Sequence, residues 1–161
     1  MESYPPFSFL NDQNQLDGFD VDVAKAVAEK LGVKLRLETP SWDVIAAGRW
    51  SGRYDICICS MTPSKARAEV FDFPVEYYAS PAVIVVNAKD ERIHNAKDLS
   101  GKKVGLTSAS SYESYLNKNL VIEGAEDTQL QYPFEDVQIA PYDTDNVAFQ
   151  EDEFIEGWDE A

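Results

Sequence analysis

The sequence predicts an α/β fold in two half-sized units, from three observations. Strand and helix signals alternate through the first 60 residues. A second set begins at the apolar run Pro81-Ala-Val-Ile-Val-Val86. No repeat, low-complexity stretch or apolar run of the ~18 residues needed for a membrane span interrupts them. Alternating strands and helices favour parallel pairing, and two units joined by an extended segment near 83–86 imply a cleft, where ligands tend to bind.

The elements follow in order. Tyr4-Pro-Pro-Phe-Ser-Phe9 is extended or turned, because two prolines lack N–H donors and hold the chain out of a helix. Asn11–Asn14 is a loop, closed by Gly18. Val23, Val27 and Leu31, with Ala24 and Ala28 alongside, carry helical spacing; Asp20 or Asp22 is available as N-cap and Gly32 as the stop. Asp22 is read as a structural cap. Val33, Leu35 and Leu37 alternate with Lys34, Arg36 and Glu38, a half-buried strand. Ser41 can cap a short helix through Trp42–Ala47, ended by Gly52, and Asp55–Ser60 is the next strand. The apolar run 81–86 has strand length, and Asp98–Gly101 is a turn. Lys103–Thr107 is a strand, Tyr112–Asn119 a helix, and Asp136–Ala140 a further strand. A helix capped by Asp143 or Thr144 would follow. Domains are expected at 1–85 (lobe 1) and 86–161 (hinge strand and lobe 2).

Charge is uneven along the 161 residues: 1–118 hold 16 acids and 14 bases, while 119–161 hold 13 acids and no base. Without clustered Lys and Arg the chain is not expected to bind nucleic acid or an anionic membrane surface. Cys57 and Cys59 are the only cysteines and His94 the only histidine. On a strand the two thiols share a face, an awkward setting for a bridge. They are expected to be buried apolar side chains rather than a metal or redox site. No cofactor is expected. No charged-then-apolar leader stands before Tyr4, so a secretory leader is expected to be absent or removed.

The strongest local motif is Ser60-Met-Thr-Pro-Ser-Lys-Ala-Arg67, at the carboxyl end of a predicted strand, where open α/β sheets bind ligands. Ser60 and Thr62 supply oxygens, Ser64 can cap a short helix, and Arg67 lies one turn on. An arginine fork matches a carboxylate in bidentate geometry. Hydroxyls beside one arginine therefore suit an α-amino acid. Alone, an arginine such as Arg67 is more often an ordinary surface ion-pair residue.

Tyr4-Pro-Pro-Phe7, Gly18-Phe-Asp-Val-Asp22, Tyr54-Asp55, Ser60-Met-Thr62, Arg67, Phe71-Asp-Phe-Pro74 and Asp98-Leu-Ser-Gly-Lys-Lys-Val-Gly105 occur in one order from Tyr4 to about Phe149. That order resembles the family 3 extracellular solute-binding proteins, polar amino-acid receptors of ABC importers. The resemblance implies a two-lobed, type II periplasmic-binding-protein fold that closes around its ligand, a periplasmic or extracytoplasmic location and a transporter permease as partner. It places Arg67 on the ligand carboxylate, Ser60 and Thr62 on the loop receiving ammonium and carboxylate, and Tyr4 and Trp42 around the ligand side chain. It aligns the family's Gly-Thr-Thr-like turn with Ala109-Ser110-Ser111, where a helix N-terminus offers N–H groups to the carboxylate. Each also has a plain structural reading: Tyr4 as a loop residue, Trp42 as a helix anchor, Ser111 as an N-cap.

The chain departs from the family at Ala109, where glycine is usual, and at Lys65-Ala66, where Pro-Glu is common. Family members usually exceed 200 residues, so the first lobe is expected to be incomplete, with a dimer supplying missing strands as one possibility. Glu151 or Asp152 are candidates for the lobe-two acid that meets the ammonium, against a solvated acidic segment. The expected function is non-enzymatic capture of a small polar amino acid or related amine-carboxylate. The alternatives are a shortened, non-binding or partner-binding remnant and a cyclohexadienyl-dehydratase-like enzyme using a cleft carboxylate as general acid.

Overall fold

A computed structural model describes residues 4–125 and 127–143. The helix expected beyond Asp143, and Glu151 and Asp152, lie outside the described residues. The chain divides into Met1–Thr62 and Pro63–Ala161. The sequence predicts the boundary at 85/86; here it falls inside the Ser60–Arg67 motif. Its physical basis lies within the second unit, where Lys65 N–H donates to the Val121 carbonyl at 2.9 Å and Glu123 N–H to the Pro63 carbonyl at 3.0 Å.

The first unit begins with a turn in which Tyr4 and Ser8 pair across a β-bridge. Strands β1 (Phe9–Leu10) and β2 (Leu16–Asp17) form an antiparallel hairpin, with Leu10 opposite Leu16. The sequence predicts an extended or turned segment to Phe9 and a loop at Asn11–Asn14, with no hairpin. Asn11 builds it: its Oδ1 accepts the N–H of Gln13 and Gln15 at 3.0 Å, and its Nδ2 donates to Asp17 at 3.2 Å.

Helix α1 (Phe19–Leu31) starts at Gly18, with no side-chain cap. Glycine is required there: φ is +119°, and an added Cβ would sit 2.4 Å from the Phe7 carbonyl oxygen. Neither Asp20 nor Asp22 is the cap. Asp22 instead pairs with Lys25 at 2.9 Å on the exposed side. Gly32 ends α1 as expected, in the left-handed conformation with its N–H on the last turn's carbonyls. The buried face runs through Asp20, Val21, Ala24 and Ala28, while Leu31 is exposed. Helix α2 (Trp42–Ala46) follows Ser41, whose backbone is extended but whose side chain makes no cap bond; α2 buries Ile45.

The predicted strands at 33–37 and 55–60 are not strands among the described residues. A strand needs a hydrogen-bonded neighbour, and these segments have none in a ladder. Val33 is 58% exposed and Ile56 61%. Released from strand geometry, Cys57 and Cys59 form a disulfide rather than the expected pair of free buried thiols. Their Cα atoms are 5.8 Å apart, shorter than the ~6.7 Å spanned by two strand residues and within bridging range.

In the second unit α3 (Lys65–Ala68) is capped by Ser64, whose side chain accepts the Arg67 N–H, as the sequence predicts. A 3-10 turn, Ala96–Leu99, carries a reciprocal capping box between Asn95 and Asp98. Strands β3 (Lys103–Thr107) and β4 (Gln138–Tyr142) pair in parallel, Gly105 opposite Ala140, with α4 (Ser111–Leu116) in the connection. The alternation in the first 60 residues predicts parallel pairing there. Among the described residues the only strand ladder in that unit is the antiparallel hairpin, and the parallel pair lies in the second unit. Phe134 is 1% exposed and packs edge-on against Tyr115 and Tyr132; Leu99 and Leu106 complete the buried core. The two tyrosine hydroxyls donate to the Gln131 and Leu120 carbonyls, which satisfies their polar ends. The apolar run 81–86 is not a strand, and Val83 is 76% exposed.

Candidate functional site

The predicted site residues fall into two groups. Tyr4, Trp42, Ser60 and Thr62 belong to the first unit, and Arg67, Ser110 and Ser111 to the second.

In the first unit Ser60 has φ +54°, a left-handed backbone that a non-glycine residue adopts at a cost of about 1–2 kcal/mol. Its Oγ donates to the carboxylate of Asp20, at 3.1 Å to Oδ1 and 2.9 Å to Oδ2. Asp20 is 3% exposed. The sequence predicts it only as a helix cap. The signal was present: Asp20, Ala24 and Ala28 stand at i, i+4 and i+8, which puts an acid on the buried stripe. Tyr4 stacks on Phe7 at 5.4 Å, and Phe7 meets Phe19 edge-on at 6.2 Å. Trp42 opens α2 half-buried, and Thr62 is likewise half-buried.

In the second unit α3 carries Arg67 to the turn before α4. Its Nη2 donates to the Ala109 carbonyl at 2.9 Å. Burial lowers the guanidinium pKa from its ordinary value, but an arginine stays charged in proteins. Ala109 has φ +56°, which explains why glycine suits this position. Its N–H donates to Glu113 Oε2 at 2.6 Å, so the turn is bound from both sides. Ser110, not Ser111, is the N-cap of α4: its Oγ accepts the Glu113 N–H at 3.2 Å. Ser111 is the first residue of the helix. The structure thus brings Arg67, Ser110 and Ser111 to one turn, and Ser60 to Asp20.

A groove of about 550 Å³ also lies in the first unit, lined by Asp20, Val21 and Ala24 of α1 and Ile45 of α2, with Arg53 and Ile56. None of the seven predicted site residues lines it. Among the described residues no group of three or more His, Cys, Asp or Glu side chains is placed to hold a metal ion. No described helix is long and apolar enough to cross a membrane.

Residues 1–160 match the bacterial extracellular solute-binding proteins, family 3. The L-cystine-binding protein TcyJ of Escherichia coli (strain K12) is 35% identical over 150 residues, covering 92% of this chain and 51% of that protein. An ancestral arginine-binding protein bound to arginine is 35% identical with a TM-score of 0.75, covering 92% of this chain and 60% of that one. AncCDT-1, an ancestral amino-acid-binding protein described as a precursor of cyclohexadienyl dehydratase, is 29% identical with a TM-score of 0.73, covering 92% of this chain and 61% of its own. The chain spans about half the length of the curated relatives it matches. It belongs to the family 3 extracellular solute-binding proteins, and its mixed α/β architecture is part of their two-lobed fold.

Proposed function

We propose that this family 3 solute-binding chain captures a small polar amino acid outside the cytoplasm, without chemical change, for delivery to an ABC importer. Arg67 clamps the carboxylate, with the Ala109–Ser111 turn beside it. Ser60 and Thr62 receive the ammonium, and Tyr4 and Trp42 flank the side chain. The observation that carries this reading is the Arg67–Ala109 bond at 2.9 Å. It holds a charged, partly buried guanidinium at a turn of hydroxyl residues within one unit, in a chain whose relatives are named for amino-acid binding. Those names also support the non-enzymatic reading over the dehydratase-like one.

Calorimetry of the whole chain against the twenty amino acids and L-cystine tests it. A charge-assisted hydrogen bond contributes about 1.5–3 kcal/mol, and 1.4 kcal/mol is a factor of ten. Arg67→Ala is therefore expected to weaken binding at least ~tenfold, with Arg67→Lys intermediate because it keeps the charge but loses the fork. Unchanged affinity in Arg67→Ala would remove Arg67 from the site. A wild-type chain that binds none of these ligands favours the non-binding alternative.

A further inference from the structure

Asp20 is the only acid in the buried class among the described residues, at 3% exposure. It lies in the first turn of α1, and its backbone N–H is fixed on the Phe7 carbonyl at 2.9 Å. The N-terminal turn of a helix favours a negative side chain. Both carboxylate oxygens lie within hydrogen-bond reach of Ser60 Oγ. An ionised carboxylate can only accept, and a serine hydroxyl has one proton to give. Ser60 Oγ donates inward to Asp20, and with its one proton so committed the hydroxyl meets any further partner as an acceptor.

We infer that Asp20 is a positioning residue that orients the Ser60 hydroxyl as an acceptor, making Ser60 selective for an ammonium N–H over a carboxylate oxygen. The left-handed backbone at Ser60 serves the same end, since the bond to Asp20 holds the side chain of a residue whose φ is +54°. A hydroxyl whose proton is already committed to a carboxylate is a stronger acceptor than a free one, because linked hydrogen bonds polarise each other. The inference rests on the amino-acid-binding reading above and adds to it the group that decides which end of the ligand Ser60 meets.

The test is calorimetry on wild type, Asp20→Asn, Ser60→Ala and the double variant. The probes are L-arginine and L-glutamine, each against the same acid lacking its α-amine (5-guanidinopentanoate and glutaramate). An asparagine can present its amide N–H to Ser60 and free the hydroxyl to donate. Asp20→Asn is therefore expected to weaken the amino acid about tenfold, one charge-assisted bond, and to leave the deaminated acid within about twofold. Ser60→Ala is expected to show the same selective loss, and the double variant to be no weaker than Ser60→Ala alone. A merely structural role for Asp20 would weaken both probes by one factor, and that result overturns the inference. Should Asp20→Asn fail to fold, Ser60→Ala still decides: equal loss of both probes places Ser60 on the carboxylate and overturns it. Wild type that binds amino acid with unchanged selectivity in Asp20→Asn sinks the inference and leaves the receptor reading standing. Wild type that binds none of the twenty amino acids nor L-cystine overturns both.

Discussion

The two units of this chain respond differently to the same kind of sequence. In the second, Lys103–Thr107 and Asp136–Ala140 read as strands, and β3 pairs with β4, shifted two residues to Gln138–Tyr142, because each supplies the other's ladder across a connection that contains α4. In the first, 33–37 alternates apolar and charged residues more regularly than β3 does, yet it has no ladder among the described residues. Its apolar side chains are correspondingly exposed, Leu37 at 40% against Leu106 at 4%. A period of two marks which face a segment would bury. Whether the segment becomes a strand depends on a neighbour that offers N–H and C=O groups.

That contrast should appear in stability. Phe134→Ala removes the most buried ring of the second unit and is expected to cost about 3–5 kcal/mol, whereas Val33→Ala is expected to stay within ~0.5 kcal/mol. Urea denaturation of the two variants checks this. A comparable loss at Val33 would show that 33–37 packs against a partner after all. Gly18→Ala is the intermediate case: it breaks the left-handed entry to α1 and drives a methyl against the Phe7 carbonyl. A loss of about 1–3 kcal/mol is expected from backbone strain alone, read as a lower urea midpoint, and an unshifted midpoint would mean that the turn can open without cost.

The smallest effect is electrostatic. In the second unit the Arg92 side chain and backbone hydrogen-bond to Asp90 and lower its pKa to about 2. A depressed carboxylate contributes stability that is fully present above the unfolded pKa of ~3.9 and is lost as pH falls through about 2. Arg92→Ala should return Asp90 toward the ordinary carboxylate range in an NMR titration and remove that part of the acid dependence. A pKa unmoved by the substitution would assign the shift to other groups.

Local signals account for much of what was legible. Gly32 as stop, Ser64 as cap and β3 as a strand need only near neighbours or strong propensity, and each stands where the sequence places it. Errors arose where two local readings competed. Asp20 and Asp22 both suit a cap, yet Gly18 holds that position because the backbone passes the Phe7 carbonyl too closely for a side chain. The sequence offers Ser111 as an N-cap, but the Glu113 N–H bonds to Ser110, one residue earlier. A strand at 55–60 would hold Cys57 and Cys59 apart; without it they form a disulfide.

By itself the sequence determined the α/β class, the family and the residue types available for an amino acid: one arginine, a run of hydroxyls and two aromatics. These follow from order, spacing and side-chain chemistry, which need no folded neighbour. Only the tertiary structure decided that Arg67 joins the Ala109 turn, that Ser60 donates to a buried Asp20, and that three strand-like segments go without a ladder. Those outcomes depend on groups 40 or more residues apart in the chain meeting, as Ser60 meets Asp20 and Arg67 meets Ala109. Hydrogen-bond direction and strand pairing are properties of both partners, so neither can be read from one segment alone.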